Sequence, residues 1–145
     1  MQGATILLIE DDDILRSVIK RNLEIRGHRV NVAVDAAQAV QHLRDEHFDL
    51  IFLDINLPDQ TGWDVLRAAR SESGFLQQEV DGKLPVVVLS AVRVSPQRLA
   101  EFHPLAYLPK PFPMEAVLRL ASEAALRAQA TGEQKPYSGE GRFYA

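Results

Sequence analysis

Cysteine is absent from the 145-residue chain, which excludes a disulfide framework and thiol chemistry. No apolar run approaches the ~18 residues that a membrane-spanning helix needs, and the N-terminus lacks the basic start of a signal peptide. A basic excess is missing too: 16 Lys and Arg stand against 20 Asp and Glu, for a net charge of −4. That balance argues against a direct nucleic-acid surface, which draws on clustered positive charge. There is no internal repeat beyond an alternation of strand-like and helix-like segments. The remainder is ordinary for a globular protein, with 46% hydrophobic and 25% charged residues in a length that suits one domain with a substantial core. A cytoplasmic protein with no membrane association is the expectation.

The alternation is regular. "TILLI" (5–9) is a short apolar run that reads as a buried strand. Ile14, Leu15, Val18, Ile19 and Leu23 then recur at helical spacing, and Gly27 suits the C-terminal cap. "RVNVAV" (29–34) is a second strand, followed by Asp35 at an N-cap and a helix face of Ala36, Ala39, Val40 and Leu43. "FDLIFLD" (48–54) is a third strand, "LPDQTGW" (57–63) a loop, and a short helix runs on to about Arg70. "LPVVVLS" (84–90) is a fourth strand, Ser95-Pro96 caps a fourth helix, and "LAYLP" (105–109) is a fifth strand. A long alanine-rich helix is expected from 113 to about 129. Five βα units call for a doubly wound, five-stranded parallel sheet with helices on both faces, a three-layer α/β/α arrangement.

In such sheets the ligand site lies beyond the carboxyl ends of the strands. Strand one ends at Glu10 and Asp11, strand three at Asp54, strand four at Ser90, and strand five just before Lys110. These residues should therefore meet in one crevice. Four consecutive acids, Glu10 to Asp13, would repel one another, and burying them is unfavourable unless something pairs with them. Asp12 and Asp13 are best read as capping and polarising the next helix. Glu10, Asp11 and Asp54 together favour a hard divalent cation, and Mg²⁺ suits a site of carboxylates, waters and a phosphate oxygen. A carboxylate beside a metal and a lysine can attack a phosphoryl group and form an aspartyl phosphate. Each residue alone has a simpler role: Asp54 as a turn former, Ser90 bonding its own backbone, Lys110 as a solvated loop lysine. Their joint position at the strand ends is what favours the site.

The motifs "LLIEDD", "DLIFLDINLPDQTGWDVL", "VVVLSA" and "YLPKPF", in this order on this βα pattern, resemble the receiver domain of two-component response regulators. The resemblance covers about residues 4 to 129 and implies a flavodoxin-like fold. It implies that Asp54 is the phosphoacceptor for a histidine kinase or phosphotransfer protein. Asp11, Asp54 and the backbone carbonyl of Asn56 would hold Mg²⁺, with Glu10 acting through water and Mn²⁺ as a substitute metal. Ser90 and Tyr107 match the switch positions and Lys110 the phosphoryl-binding lysine, with Lys110-Pro111 expected cis. Pro58 and Gly62 match the loop after the acceptor. The implied protein is a signalling switch rather than an enzyme, with self-catalysed phosphotransfer and slow autodephosphorylation. It would act on a downstream protein target and could dimerise when phosphorylated.

Some features depart from the family pattern. The connection "SESGFLQQEVDGK" (71–83) is about six residues longer than expected, and the Ser90–Lys110 stretch is slightly short. Val92 offers nothing to position a hydrolytic water. Residues 1–130 read as the receiver and 131–145 as a tail, either flexible surface or, through Tyr137, Phe143 and Tyr144, self-docking or partner-docking. No output domain follows residue 130, so a stand-alone receiver or the N-terminal piece of a longer regulator is expected. His28, His42, His47 and His103 read as ordinary surface or loop residues. Two other readings are a haloacid-dehalogenase-like phosphohydrolase and a phosphate-independent interaction module on the same fold. The first needs an acid two residues past the nucleophile, where this chain has Asn56.

Overall fold

The apolar runs form the sheet, and the periodic segments between them form its cover. The computed structural model describes residues 3–71 and 79–134, with side chains as far as Ala130. Five strands, β1 (Thr5–Ile9), β2 (Arg29–Ala33), β3 (Leu50–Asp54), β4 (Leu84–Ser90) and β5 (Pro104–Pro109), alternate with five helices. The helices are α1 (Asp13–Ile25), α2 (Ala36–Asp45), α3 (Gly62–Ser71), α4 (Pro96–Phe102) and α5 (Met114–Gln134). The strands are parallel in the order β2-β1-β3-β4-β5. The chain winds outward from β1 to β2 and then back across to β3, so the crevice that α/β sheets use for ligands opens where β1 meets β3.

Strand side chains alternate between faces. Leu7 and Ile9 join a core with Trp63, Val65, Leu66 and Phe102 under α2, α3 and α4. Ile6 and Leu8 join a second core with Ile19, Leu23, Val117 and Ala121 under α1 and α5. Burial on both faces is why β3 and β4 read as unbroken apolar runs rather than alternating ones.

The expected caps form. Leu15 N donates to Asp12 Oδ1 at 2.8 Å, Gln38 N to Asp35 Oδ1 at 2.8 Å and Arg98 N to Ser95 Oγ at 3.2 Å. Gly27, with φ of 92°, closes α1: its amide donates to Glu24 O, and the amide of His28 reaches Leu23 O. Thr61 and Asp64 cap α3 reciprocally, Asp64 N to Thr61 Oγ1 at 3.3 Å and Thr61 N to Asp64 Oδ2 at 3.2 Å.

Several boundaries shift. β2 stops at Ala33 because the amide of Val34 turns to Gln38 Oε1 (3.0 Å), and β5 starts one residue early, at Pro104. β3 begins at Leu50, since Asp49 uses its carboxylate to accept the amide of Thr5 at 2.7 Å. α5 continues to Gln134, past the expected end near 129 and into the segment read as tail. The tail from 135 on, with Tyr137, Phe143 and Tyr144, lies outside the described residues, as do 72–78 of the long connection. The end of that connection is a tight turn: Val80 and Lys83 exchange two backbone hydrogen bonds around Asp81 and Gly82, both at positive φ. His28 is a correction. It is buried, and its Nδ1 accepts the amide of Ala4 at 3.0 Å, so it is part of the fold and not a surface histidine.

Candidate functional site

The carboxyl ends of β1, β3 and β5 bring Glu10, Asp54 and Lys110 together. Glu10 follows β1 directly and is held by both its backbone groups: its amide donates to Ala33 O at 3.0 Å and its carbonyl accepts from Arg16 Nη1 at 3.1 Å. Arg16 also reaches Asp11 O at 3.4 Å and pairs with Asp13 at 2.6 Å, so the first helical turns brace the acidic corner. Asp54 closes β3 and is 4% exposed. Its Oδ1 accepts the amide of Asn56 at 3.0 Å. Lys110 Nζ sits between the two buried acids, 3.0 Å from Glu10 Oε1 and 3.2 Å from Asp54 Oδ2. Its own amide donates to Ser90 O at 2.8 Å, which ties the end of β5 to the end of β4, and the Lys110-Pro111 bond is cis.

Asp11 is exposed, yet one of its carboxylate oxygens lies within 4.8 Å of oxygens from both Glu10 and Asp54. Burial, joined by hydrogen bonding to Asp54, pushes the Glu10 carboxyl up to about 7, and the ammonium of Lys110 offsets this only in part. Burial pulls Lys110 down, but the pairing with Glu10 and Asp54 outweighs it and holds the ammonium above its usual value. One ammonium thus faces three carboxyl groups. That imbalance, with oxygen ligands open to solvent on the Asp11 side, fits a hydrated divalent cation.

Gly62 shapes the same corner from below. A Cβ there would lie 2.8 Å from the carbonyl oxygen of Asp54, so only glycine lets the start of α3 approach β3 this closely. Its amide donates to Ile55 O at 2.7 Å.

Ser90 closes β4 next to β3 and Tyr107 lies on β5, and the hydrogen bonds of both side chains go to Val92 rather than to the acids. Ser90 Oγ donates to Val92 O at 2.7 Å and accepts Val92 N at 3.1 Å, the local ring that a strand-end serine can make on its own. Tyr107 Oη donates to the same Val92 carbonyl at 3.4 Å. Sequence reasoning did not find this shared acceptor, because a backbone oxygen leaves no residue-type signal. It also missed Arg16 as a brace and Asp59, whose carboxylate accepts the amides of Ala36 at 2.9 Å and Ala37 at 3.1 Å.

A family model of the response regulator receiver domain matches residues 6–122. The chain belongs to the response regulator receiver family. Among curated relatives it is similar to the transcriptional regulatory protein CpxR of Escherichia coli K12, 36% identical over 139 residues that span 94% of this chain and 55% of CpxR. This receiver chain spans about half the length of the curated relatives it matches. Among solved structures it is similar to the receiver domain of the sensor histidine kinase PA1611 of Pseudomonas aeruginosa PAO1 (TM-score 0.69, 28% identity, 85% of this chain and 98% of that one). That structure holds a magnesium ion in the active-site cleft. A second is the non-phosphorylated HemR receiver domain from Leptospira biflexa (TM-score 0.68, 32% identity, covering 83% of this chain and 93% of that one). The flavodoxin-like, five-stranded receiver fold expected from the sequence is therefore the one observed. Receivers are signalling domains, and none of the helices described here is long and apolar enough to cross a membrane.

Proposed function

We propose that this receiver accepts a phosphoryl group on Asp54 from the phosphohistidine of a histidine kinase or phosphotransfer protein. The observation that carries this reading is Lys110 bridging two buried carboxylates while a third carboxylate, that of Asp11, has an oxygen within 4.8 Å of both. Asp11, Asp54 and the backbone carbonyl of Asn56 would hold Mg²⁺, or Mn²⁺ in its place, with Glu10 acting through water. The metal, when bound, supplies positive charge against the oxygens of the transferring group.

A carboxylate oxygen of Asp54 forms the new bond to phosphorus as the phosphorus–nitrogen bond to imidazole breaks, and the released nitrogen takes up a proton. The amide of Asn56 on Oδ1 and the ammonium of Lys110 on Oδ2 orient the carboxylate for that attack. Lys110 then turns from carboxylate to phosphoryl oxygens. Ser90 can reach the phosphoryl group only by giving up its bond to Val92 O, which leaves that carbonyl to Tyr107 alone. The local exchange biases the β4–α4 loop and Tyr107, and with them a surface read by a downstream protein target, in the cytoplasm.

Transfer is tested with a phosphohistidine donor or a small phosphoryl donor and Mg²⁺. Labelling is expected in the unaltered chain and absent in Asp54→Asn. Label that persists in Asp54→Asn would sink the assignment. Sedimentation with and without beryllofluoride tests the switch, with a Mg²⁺-dependent shift toward a dimer or a changed shape expected.

A further inference from the structure

The segment from Ile55 to Thr61 carries the Asn56 carbonyl and joins β3 to α3. Its base is closed on itself by the Asn56–Thr61 bridge and by the Gly62 to Ile55 hydrogen bond. Its tip is held differently. Asp59 reaches across to α2, where Oδ1 accepts the amide of Ala36 at 2.9 Å and Oδ2 accepts the amide of Ala37 at 3.1 Å. Oδ1 also accepts the amide of Gln60 at 3.0 Å, which orients the carboxylate from its own side.

At the start of α2 the work is divided: Asp59 takes the first two free amides and Asp35 the third, through Gln38 N. The two-pronged contact therefore ties the loop tip to the helix start as well as capping the helix. Only Leu57 and Pro58 separate Asn56 from Asp59, and both are stiff: proline fixes its own φ and narrows the conformations of the residue before it. Orientation imposed at Asp59 is thus passed to the Asn56 peptide with little slack. Asp59 is not one of the three acids that converge at the candidate metal site. The amides, that of Ala36 first, hold its carboxyl below the usual range, so it stays ionised wherever the site would work.

We infer that Asp59 is a positioning residue for the metal site: by pinning the loop tip to the start of α2 it pre-orients the Asn56 carbonyl. This rests on the phosphoacceptor reading above, since that reading makes the carbonyl a ligand. Residues that orient metal ligands commonly change affinity by one to two orders of magnitude when removed.

The test compares the unaltered chain with Asp59→Ala, Asp59→Asn and Asp35→Ala, by calorimetric Mg²⁺ titration and by amide hydrogen exchange in the metal-free protein. Asp59→Ala should bind Mg²⁺ about tenfold more weakly and exchange faster at residues 56–60 without metal. Asp59→Asn keeps one acceptor oxygen and should retain much of the affinity despite losing the charge. Asp35→Ala removes the other capping carboxylate of α2 and should lower thermal stability while leaving Mg²⁺ affinity unchanged. The inference is overturned if Asp59→Ala binds as tightly as the unaltered chain, or if Asp59→Asn is as weak as Asp59→Ala. Equal weakening by Asp35→Ala also overturns it, since a loosened helix start would then suffice. If the unaltered chain binds no Mg²⁺ at all, the phosphoacceptor reading fails and this inference fails with it.

Discussion

Asp11 and Asp13 are both exposed acids two positions apart, yet their surroundings assign them different work. Asp11 has a carboxylate oxygen within 4.8 Å of those of Glu10 and Asp54, whereas Asp13 is paired with Arg16 at 2.6 Å on the flank of α1. Asp11→Asn should therefore weaken Mg²⁺ binding by about a hundredfold, at or above the upper end for residues that only orient ligands. Asp13→Asn should leave it nearly unchanged, because an exposed charge one helical step away is screened by solvent and salt. Calorimetric titration separates them, and equal losses would contradict the division. This division was readable in the sequence because strand ends and helix caps are local features. Glu10, Asp54, Ser90 and Lys110 were readable for the same reason, each closing a strand or standing one residue past its end. Asp59, His28 and Asp49 were not, since their backbone partners lie 23, 24 and 44 residues away in the chain. Nothing in the type or spacing of such residues announces a fold-dependent hydrogen bond.

α4 is the shortest of the five helices described. At seven residues it is too short to persist alone, and Phe102 is its one buried residue among those described. The Phe102 ring stacks on Trp63 of α3, with centroids 5.3 Å apart and planes 18° from parallel. Arg67 and Arg70 of α3 lie over the same ring at 5.4 Å and 4.7 Å, and Arg70 also donates to Glu101 O at 3.3 Å. α4 is in effect hung from α3 at its C-terminal turn. Removing the ring by Phe102→Ala should lower unfolding free energy by about 3 kcal/mol, the lower end for a buried phenylalanine. Trp63 is the only tryptophan in the chain, so its emission in a urea titration reports this directly. A loss below about 1 kcal/mol, the size of an average substitution, would mean that α4 is held by something else. The cap of this helix, Ser95-Pro96, was legible from two adjacent residues, but its anchor was not. Phe102 became an anchor only when the sheet order placed α3 beside α4.

For the molecule as a whole, two buried titrating groups pull stability in opposite directions with pH. Burial pushes Glu10 up from 4.5 to about 7, so the folded state binds a proton more readily than the unfolded one. Between those values Glu10 makes the fold more stable as pH falls. His28 does the reverse. Burial first, and the charge of Arg26 second, hold its pKa below the ordinary 6.5, and Nδ1 must stay unprotonated to accept the amide of Ala4. The unfolded chain then binds the proton more readily. The His28 contribution is complete above 6.5 and is lost as pH falls from there toward the lowered folded value. The measured slope of stability against pH is the sum of the two, so the unaltered chain alone cannot display either. His28→Asn supplies an oxygen near the place of Nδ1 and does not titrate. Relative to His28→Asn, the unaltered chain should hold a constant stability difference above pH 6.5 and lose ground steadily below it. Urea unfolding at a series of pH values, in metal-free buffer, gives that difference directly, and Glu10 cancels because it is common to both proteins. A difference that stays flat on acidification would mean that His28 takes up its proton without breaking the Ala4 contact, and that the junction of β1 with the α1–β2 turn tolerates a charge.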